Sequence, residues 1–307
     1  SAASDVYKRQ DRILFGEDEA KIIELKVYAS EFEEKMSSVF DLDGRTGPYD
    51  LKSLFPEGKK VFSNPKPVLL MERLVSFMTR PQDICLDMFA GSSTLAHAML
   101  ELNRREGSDR RFISIQFPEI IGKDNKDAIE AYKFCVQVGV KPLISEISKE
   151  RIRRAGMAVL EKEGSSEWSK DVGFRVLKID TSNMADVYYS PDALGKDNID
   201  LFVDNIKPDR TPEDLLFQVM LDWGVDLALP IERQDIQGRE VFFVDGNALA
   251  ACFDSHGKID EDFVKELAKT EPLRAVFRDA GFKDDAVRIN VEQIFKQLSP
   301  STEVKCI

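Results

Sequence analysis

Gly91 stands in a run of small and hydroxylated residues, Ala90-Gly91-Ser92-Ser93-Thr94, between the apolar stretch "DICLDMF" and a segment of helical period. One glycine lets a chain turn sharply from strand into helix, and the N–H groups at a helix start favour an anion such as a carboxylate. A dinucleotide site needs more: its G-x-G-x-x-G turn uses several glycines so that backbone can approach a pyrophosphate. Only Gly91 is present here. A ligand with a carboxylate and a ribose but no phosphate fits better, and S-adenosyl-L-methionine is such a ligand. Gln116 ends the next apolar run, where a nicotinamide-binding protein usually places an acid for the ribose; an amide can donate and accept there. Two readings of Asp87 stay open, a cofactor contact or a strand-end acid that binds neighbouring backbone N–H groups. The alternative for the whole constellation is a tight structural turn.

For these residues to meet, the chain must supply strand, turn, helix and strand in order. "DICLDMF" predicts the first strand. Leu95, Ala98, Met99 and Leu102 then share one helical face that stops at Gly107, and "RRFISIQF" predicts the next strand. That is the size of a βαβ unit with a parallel sheet. Upstream, "NPKPVLLMERLVSFMT" predicts a helix with Asn64 as cap, Pro67 near its start, and Leu70, Leu74 and Phe77 or Met78 at helical spacing. Before it, Ile22, Ile23, Leu25, Val27, Tyr28 and Phe32 predict a helix from Asp18 to about Phe40, ended by a turn in "DLDGRTGPYD".

Downstream, "AYKFCVQVGVKPLISEISKERIRRAGMAVL" predicts two helices split between Gly139 and Pro142, and the charged "EKEGSSEWSKD" a linker. A second, smaller α/β layer follows. Its strands are "FRVLKID", "REVFFVDG", "ALAACFD" and "LRAVFRDA"; its helices are "TPEDLLFQVMLDWG", "DEDFVKELAKTE" and "DDAVRINVEQIFKQL". Thr211 and Asp214 predict a capping box, and Gly224 a helix stop.

At 307 residues, 43% hydrophobic, the chain suits two globular domains. No run approaches ~18 consecutive apolar residues, so a soluble protein is expected and no membrane partner. Cys85, Cys135, Cys252 and Cys306 lie far apart and His97 and His256 are isolated, which predicts reduced thiols in a cytoplasm and no clustered metal site. A net charge of -12 argues against a surface that grips nucleic acid all round, but leaves room for a local basic groove. Arg104, Arg105, Arg110 and Arg111 form one basic cluster and Arg151, Arg153 and Arg154 another; each reads as a solvated helix face. The first ten residues, "SAASDVYKRQ", match an in-frame translation of a transposon-end sequencing adapter. They are set aside, with authentic sequence expected from about Asp11 and part of the reading frame expected to be lost upstream.

"DMFAGSSTLAHA" resembles the D-x-F-x-G-S-G-T cofactor motif of amino-directed DNA methyltransferases, with Ser93 in place of the usual second glycine. "NPKPVLLMERLV" resembles the helix entrance that lines the methionine end of the cofactor, and its place just upstream resembles the permuted order of those enzymes. With "GRTGPYDLKSLFPEGKKVFSNPKP", "RRFISIQFPE", "FRVLKIDTSN" and the tail "PLRAVFRDAGFKDDAVRINVEQIFKQLSP", the chain from Arg12 to Ile307 is similar to the modification subunit of type III restriction-modification systems.

The resemblance implies an α/β fold, with a Rossmann-like S-adenosyl-L-methionine-binding half-domain and a second, smaller α/β C-terminal domain. It implies the end of a DNA-recognition region and a connector at 11–60, the cofactor domain at 61–160 and the C-terminal domain at 171–307. Asp87, Phe89, Gly91, Ser92 and Thr94 would form the cofactor turn, Asn64, Lys66 and Pro67 the hook before it, and Gln116 the ribose edge. It also implies an adenine-N6 DNA methyltransferase that is dimeric, acts on double-stranded DNA and pairs with a helicase-nuclease restriction subunit. Such enzymes hold the flipped base with a D-P-P-Y type tetrad. This sequence has no Pro-Pro dipeptide, and "GPYD" at Gly47 to Asp50 reads as a loop. The chain by itself is therefore expected to bind cofactor weakly at most and to catalyse nothing. Other readings are a cytosine-N4 enzyme, a non-catalytic subunit-interaction module from Asp171 onward, and a nicotinamide-dependent oxidoreductase, which would need a fuller glycine turn and a ribose acid.

Overall fold

The computed structural model describes residues 13–15, 23–26, 36–185 and 205–307. The segment 1–10 lies outside them. The chain divides between Phe174 and Arg175 into two compact units.

In the first unit, β1 (Ile13–Phe15) and β2 (Ile23–Leu25) pair antiparallel, Ile13 opposite Leu25. This corrects the helix expected from Asp18 to Phe40. Ile23 and Leu25 alternate as well as they fit a helical stripe, and strand pairing wins; Met36–Phe40 is not helical, and the rest of that stretch lies outside the described residues. A second correction is α1 (Thr46–Leu54), which takes in the "GPYD" expected to be a loop. Pro48 sits in the first turn, where its missing N–H is not needed. Gly47 is required there because a Cβ would lie 2.0 Å from the Pro65 carbonyl oxygen.

The helix α2 (Val68–Met78) starts at Pro67, whose extended backbone occupies the cap position. Asn64 is not the cap: it is exposed, with φ +54°, and the Val68 N–H donates instead to Asp50 Oδ2 at 2.8 Å. Next come β3 (Ile84–Asp87), α3 (Thr94–Glu106) and β4 (Arg111–Ser114). β3 and β4 pair parallel, Asp87 opposite Ser114, with α3 as the crossover, and Gly107 ends α3 at φ +67°. Met99 and Leu102 on α3 pack on Val75 of α2. The helices α4 (Ile129–Gln137) and α5 (Ile144–Leu160) follow. Ala96 and Leu100 of α3 pack against Ile152, Ala155 and Val159 of α5, and buried Trp168 from the expected linker joins that cluster.

The second unit is a five-stranded mixed sheet, β5 (Ile231–Ile236), β6 (Arg239–Val244), β7 (Leu249–Cys252), β8 (Arg274–Phe277) and β9 (Glu303–Cys306), in spatial order. β5, β6 and β7 run antiparallel; β7, β8 and β9 run parallel. Val241 and Phe243 face the cluster built with α7 (Glu261–Ala268) and α8 (Asp285–Leu298), while Phe242 and Val244 face α6 (Pro212–Asp222). That two-sided burial follows the strand period of two. The capping box of Thr211 and Asp214 is formed, and Gly224 follows the helix at φ +64°. "FRVLKID" is not a strand. Arg175 ties it down by donating to the carbonyls of Leu227 and Leu229, and Ile179 is fully exposed, so side chains rather than a backbone ladder hold it. All four cysteines are free thiols, and no described helix is long and apolar enough to cross a membrane.

Candidate functional site

The turn between β3 and α3 places two residues in the left-handed region, Gly91 at φ +54° and Ser93 at φ +57°. Glycine adopts that conformation freely, whereas serine carries a Cβ penalty there. A Cβ on Gly91 would also meet the Phe62 ring at 3.3 Å. Phe62 lies two residues before the Asn64–Pro67 hook, and its ring stands beside the turn.

The Gly91 N–H donates to Gln116 Oε1 at 2.7 Å, and Gln116 Nε2 donates to the Phe117 carbonyl at 2.9 Å. The Asp87 carboxylate accepts from the Phe89 N–H at 3.2 Å, one of the two roles open to it. Phe89 is 91% exposed beyond it. Asn64 and Lys66 are exposed and Pro67 half-buried at the start of α2. Ser92, Ser93 and Thr94 are buried. The structure thus brings Gly91, Ser92, Thr94 and Gln116 into direct contact or one turn of chain, with Asp87 and Phe89 at the strand end.

The reason Ser92 and Thr94 are buried is Arg151, which sequence reasoning assigned to a solvated face. It is 0% exposed. Its Nη1 donates to Thr94 Oγ1 at 2.7 Å, to Ser92 Oγ at 2.8 Å and to the Ser92 carbonyl at 3.3 Å. One helical turn earlier, Ser148 donates to the Gly91 carbonyl. The turn's carbonyls are therefore taken from behind, while no side chain caps the first-turn N–H groups of α3, which have no intrahelical acceptor. A signal for Arg151 was present: it falls four residues after Ile147 and four before Ala155, on the buried stripe of α5.

Arg104, Arg110 and Arg154 also depart from the solvated reading, whereas Arg105 and Arg111 are exposed as expected. Arg110 is buried and donates to Glu106 at 2.7 Å, Ser108 at 2.7 Å and Thr79 at 3.0 Å. Arg104 pairs with Glu101 at 3.1 Å and Arg105 with Glu72 at 2.6 Å; Arg154 bridges Glu57 and Glu150, both at 2.7 Å, over the Phe55 ring. Arg153 keeps the exposure expected of it.

Burial pushes the Arg151 guanidinium down to about 10, against the pull of the Asp50 carboxylate. Burial, and then the nearby Arg151 charge, push the His97 imidazole down to about 3, so it is neutral at pH 7. A bend with two left-handed residues, an uncapped helix start and a fixed cation behind it can accept a carboxylate or a similar anion.

The family described as DNA methylase matches residues 5–137. The chain is 33% identical to the Type III restriction-modification enzyme EcoP15I Mod subunit of Escherichia coli, over 96% of this chain and 43% of that protein. It is 30% identical to the EcoPI Mod subunit of Escherichia phage P1, over 78% of this chain and 35% of that one. It is 27% identical to the StyLTI Mod subunit of Salmonella typhimurium, over 53% and 24%. The chain spans less than half the length of these curated relatives.

Proposed function

The chain belongs to the family of type III restriction-modification Mod subunits, and from that premise we propose that it supplies the S-adenosyl-L-methionine half of a site-specific adenine-N6 DNA methyltransferase. One observation carries the reading: the left-handed turn at Gly91 leads into an uncapped helix start with its carbonyls bound from behind. The fold around it, a parallel strand pair crossed by a helix, supports a Rossmann-like half-domain.

In this reading the first-turn N–H groups of α3 take the methionine carboxylate and Gly91 allows close approach, while the Gly91 and Ser93 N–H groups stay bound to Gln116 and Ala90. Phe89 offers an exposed apolar wall. Gln116, which braces Gly91, sets the shape of the ribose edge as much as it contacts it. The cofactor supplies an electrophilic methyl group for in-line transfer to an adenine amine, a step that mainly needs the two atoms brought together and the base out of the stack. These 307 residues contain no Pro-Pro dipeptide, and "GPYD" is helical, so we place the base-holding tetrad outside them and expect no turnover from this chain alone. Double-stranded DNA, a second Mod copy and a restriction subunit are the proposed partners of the whole protein. The matched family's name takes in both N6 and N4 chemistry, so cytosine-N4 transfer is the second reading.

Saturation-transfer NMR, which detects weak binding, tests the cofactor half directly. S-adenosylhomocysteine should receive saturation from the wild-type chain and not from Gly91→Val; equal transfer from both, or none from the wild type, overturns the reading.

A further inference from the structure

A buried guanidinium is an expensive way to fill space, because desolvation of the charge exceeds what a few neutral hydrogen bonds return. Arg151 makes no ion pair among the described residues, and its Nε and Nη2 have no hydrogen-bond partner. Only Nη1 is engaged, and all three of its acceptors lie in Ser92 and Thr94. Asp50, the acid whose field reaches Arg151, is itself held by the Val68 N–H. His97, also buried with an unpartnered Nδ1, adds no second charge. Among the described residues only the field of Asp50 therefore offsets this positive charge, which lies directly behind an uncapped helix start.

Resting on the cofactor reading above, we propose that Arg151 is a positioning residue whose buried charge, acting through the Ser92–Thr94 turn, makes that turn selective for nucleosides bearing a carboxylate. Ser148, one turn earlier on α5, does the matching neutral task by fixing the Gly91 carbonyl. Helix α5 thus sets both the shape of the turn and its preference for an anion. A volume-filling role would need neither the charge nor its placement against two hydroxyls.

The test compares two ligands that differ in the amino-acid tail: S-adenosylhomocysteine, which carries the carboxylate, and 5′-deoxy-5′-methylthioadenosine, which lacks it. Dissociation constants are measured by ligand-observed NMR titration on the 307-residue wild type, Arg151→Met and Arg151→Lys. The charge role predicts that Arg151→Met weakens S-adenosylhomocysteine by roughly tenfold and leaves the methylthio compound unchanged, while Arg151→Lys keeps the wild-type ratio within about threefold. Equal weakening of both ligands in Arg151→Met, or of neither, overturns the inference while leaving the cofactor reading intact. If Arg151→Met does not fold, the lysine variant decides: a retained ratio supports the charge role and a collapsed one overturns it. A wild-type chain that binds neither compound overturns the cofactor reading and this inference with it.

Discussion

Asp50 Oδ2 accepts a hydrogen bond from the Val68 N–H at 2.8 Å and so caps α2 from the middle of α1. Pro67 fixes the chain's approach but has no side-chain oxygen to offer, and the cap comes from elsewhere in the sequence. Asp50→Ala should lower unfolding stability by about 1 kcal/mol, and Asp50→Asn should recover most of it. Urea denaturation of the two variants decides; no difference between Ala and wild type would mean that water serves α2 equally well.

The two left-handed residues of the turn should respond in opposite senses. Gly91→Ala adds a Cβ at φ +54° against Phe62 and should destabilise by about 1–2 kcal/mol, with loss of cofactor binding. Ser93→Gly relieves strain at φ +57°, and after the extra backbone entropy of glycine a net gain of roughly 0.5 kcal/mol is expected. Thermal melts of both variants are the measurement, and a Ser93→Gly protein that melts lower than wild type refutes the strain argument.

The capping box at Thr211 and Asp214 tests the second unit separately. Each side chain accepts from the other's backbone, so Thr211→Ala and Asp214→Ala should each cost about 1 kcal/mol and the double variant less than the sum. Additive losses in chemical denaturation would show that the two bonds act independently.

Much of this architecture could be read from local pattern. Ala98, Met99 and Leu102 marked buried positions of α3, Gly107 its stop, and Thr211 the start of α6, because caps and periodicity are properties of neighbouring residues. What escaped depends on distant partners. Gly47 and Pro48 look like a turn until Pro65 is known to lie against them. "FRVLKID" alternates like a strand, yet Arg175 is occupied elsewhere. β5, with its exposed "IERQDI", lacks apolar alternation and forms because β6 offers a free edge, and β9 alternates over only four residues, too few to stand out. At the candidate site Gly91 and Gln116 were legible from the motif, whereas Arg151 was judged by its charge when its position in the stripe of α5 was the better guide.

His97 provides a pH test of that same interior. The imidazole is buried on α3 and its folded-state value is pushed down to about 3 by burial first and Arg151 second. The unfolded chain takes up the proton near 6.5 and the folded chain does not, so the unfolded state binds more protons between those two values. The stabilising contribution is complete above pH 6.5 and is lost as the pH falls toward 3. By pH 5 the loss should be on the order of 2 kcal/mol, before most carboxylates begin to titrate. His97→Gln removes the titration and should flatten the stability profile between pH 5 and 7. Urea midpoints across that range, wild type against variant, make the comparison; parallel profiles would show that the imidazole is protonated or hydrated in the folded chain, and that the interior behind the turn holds more than one positive charge.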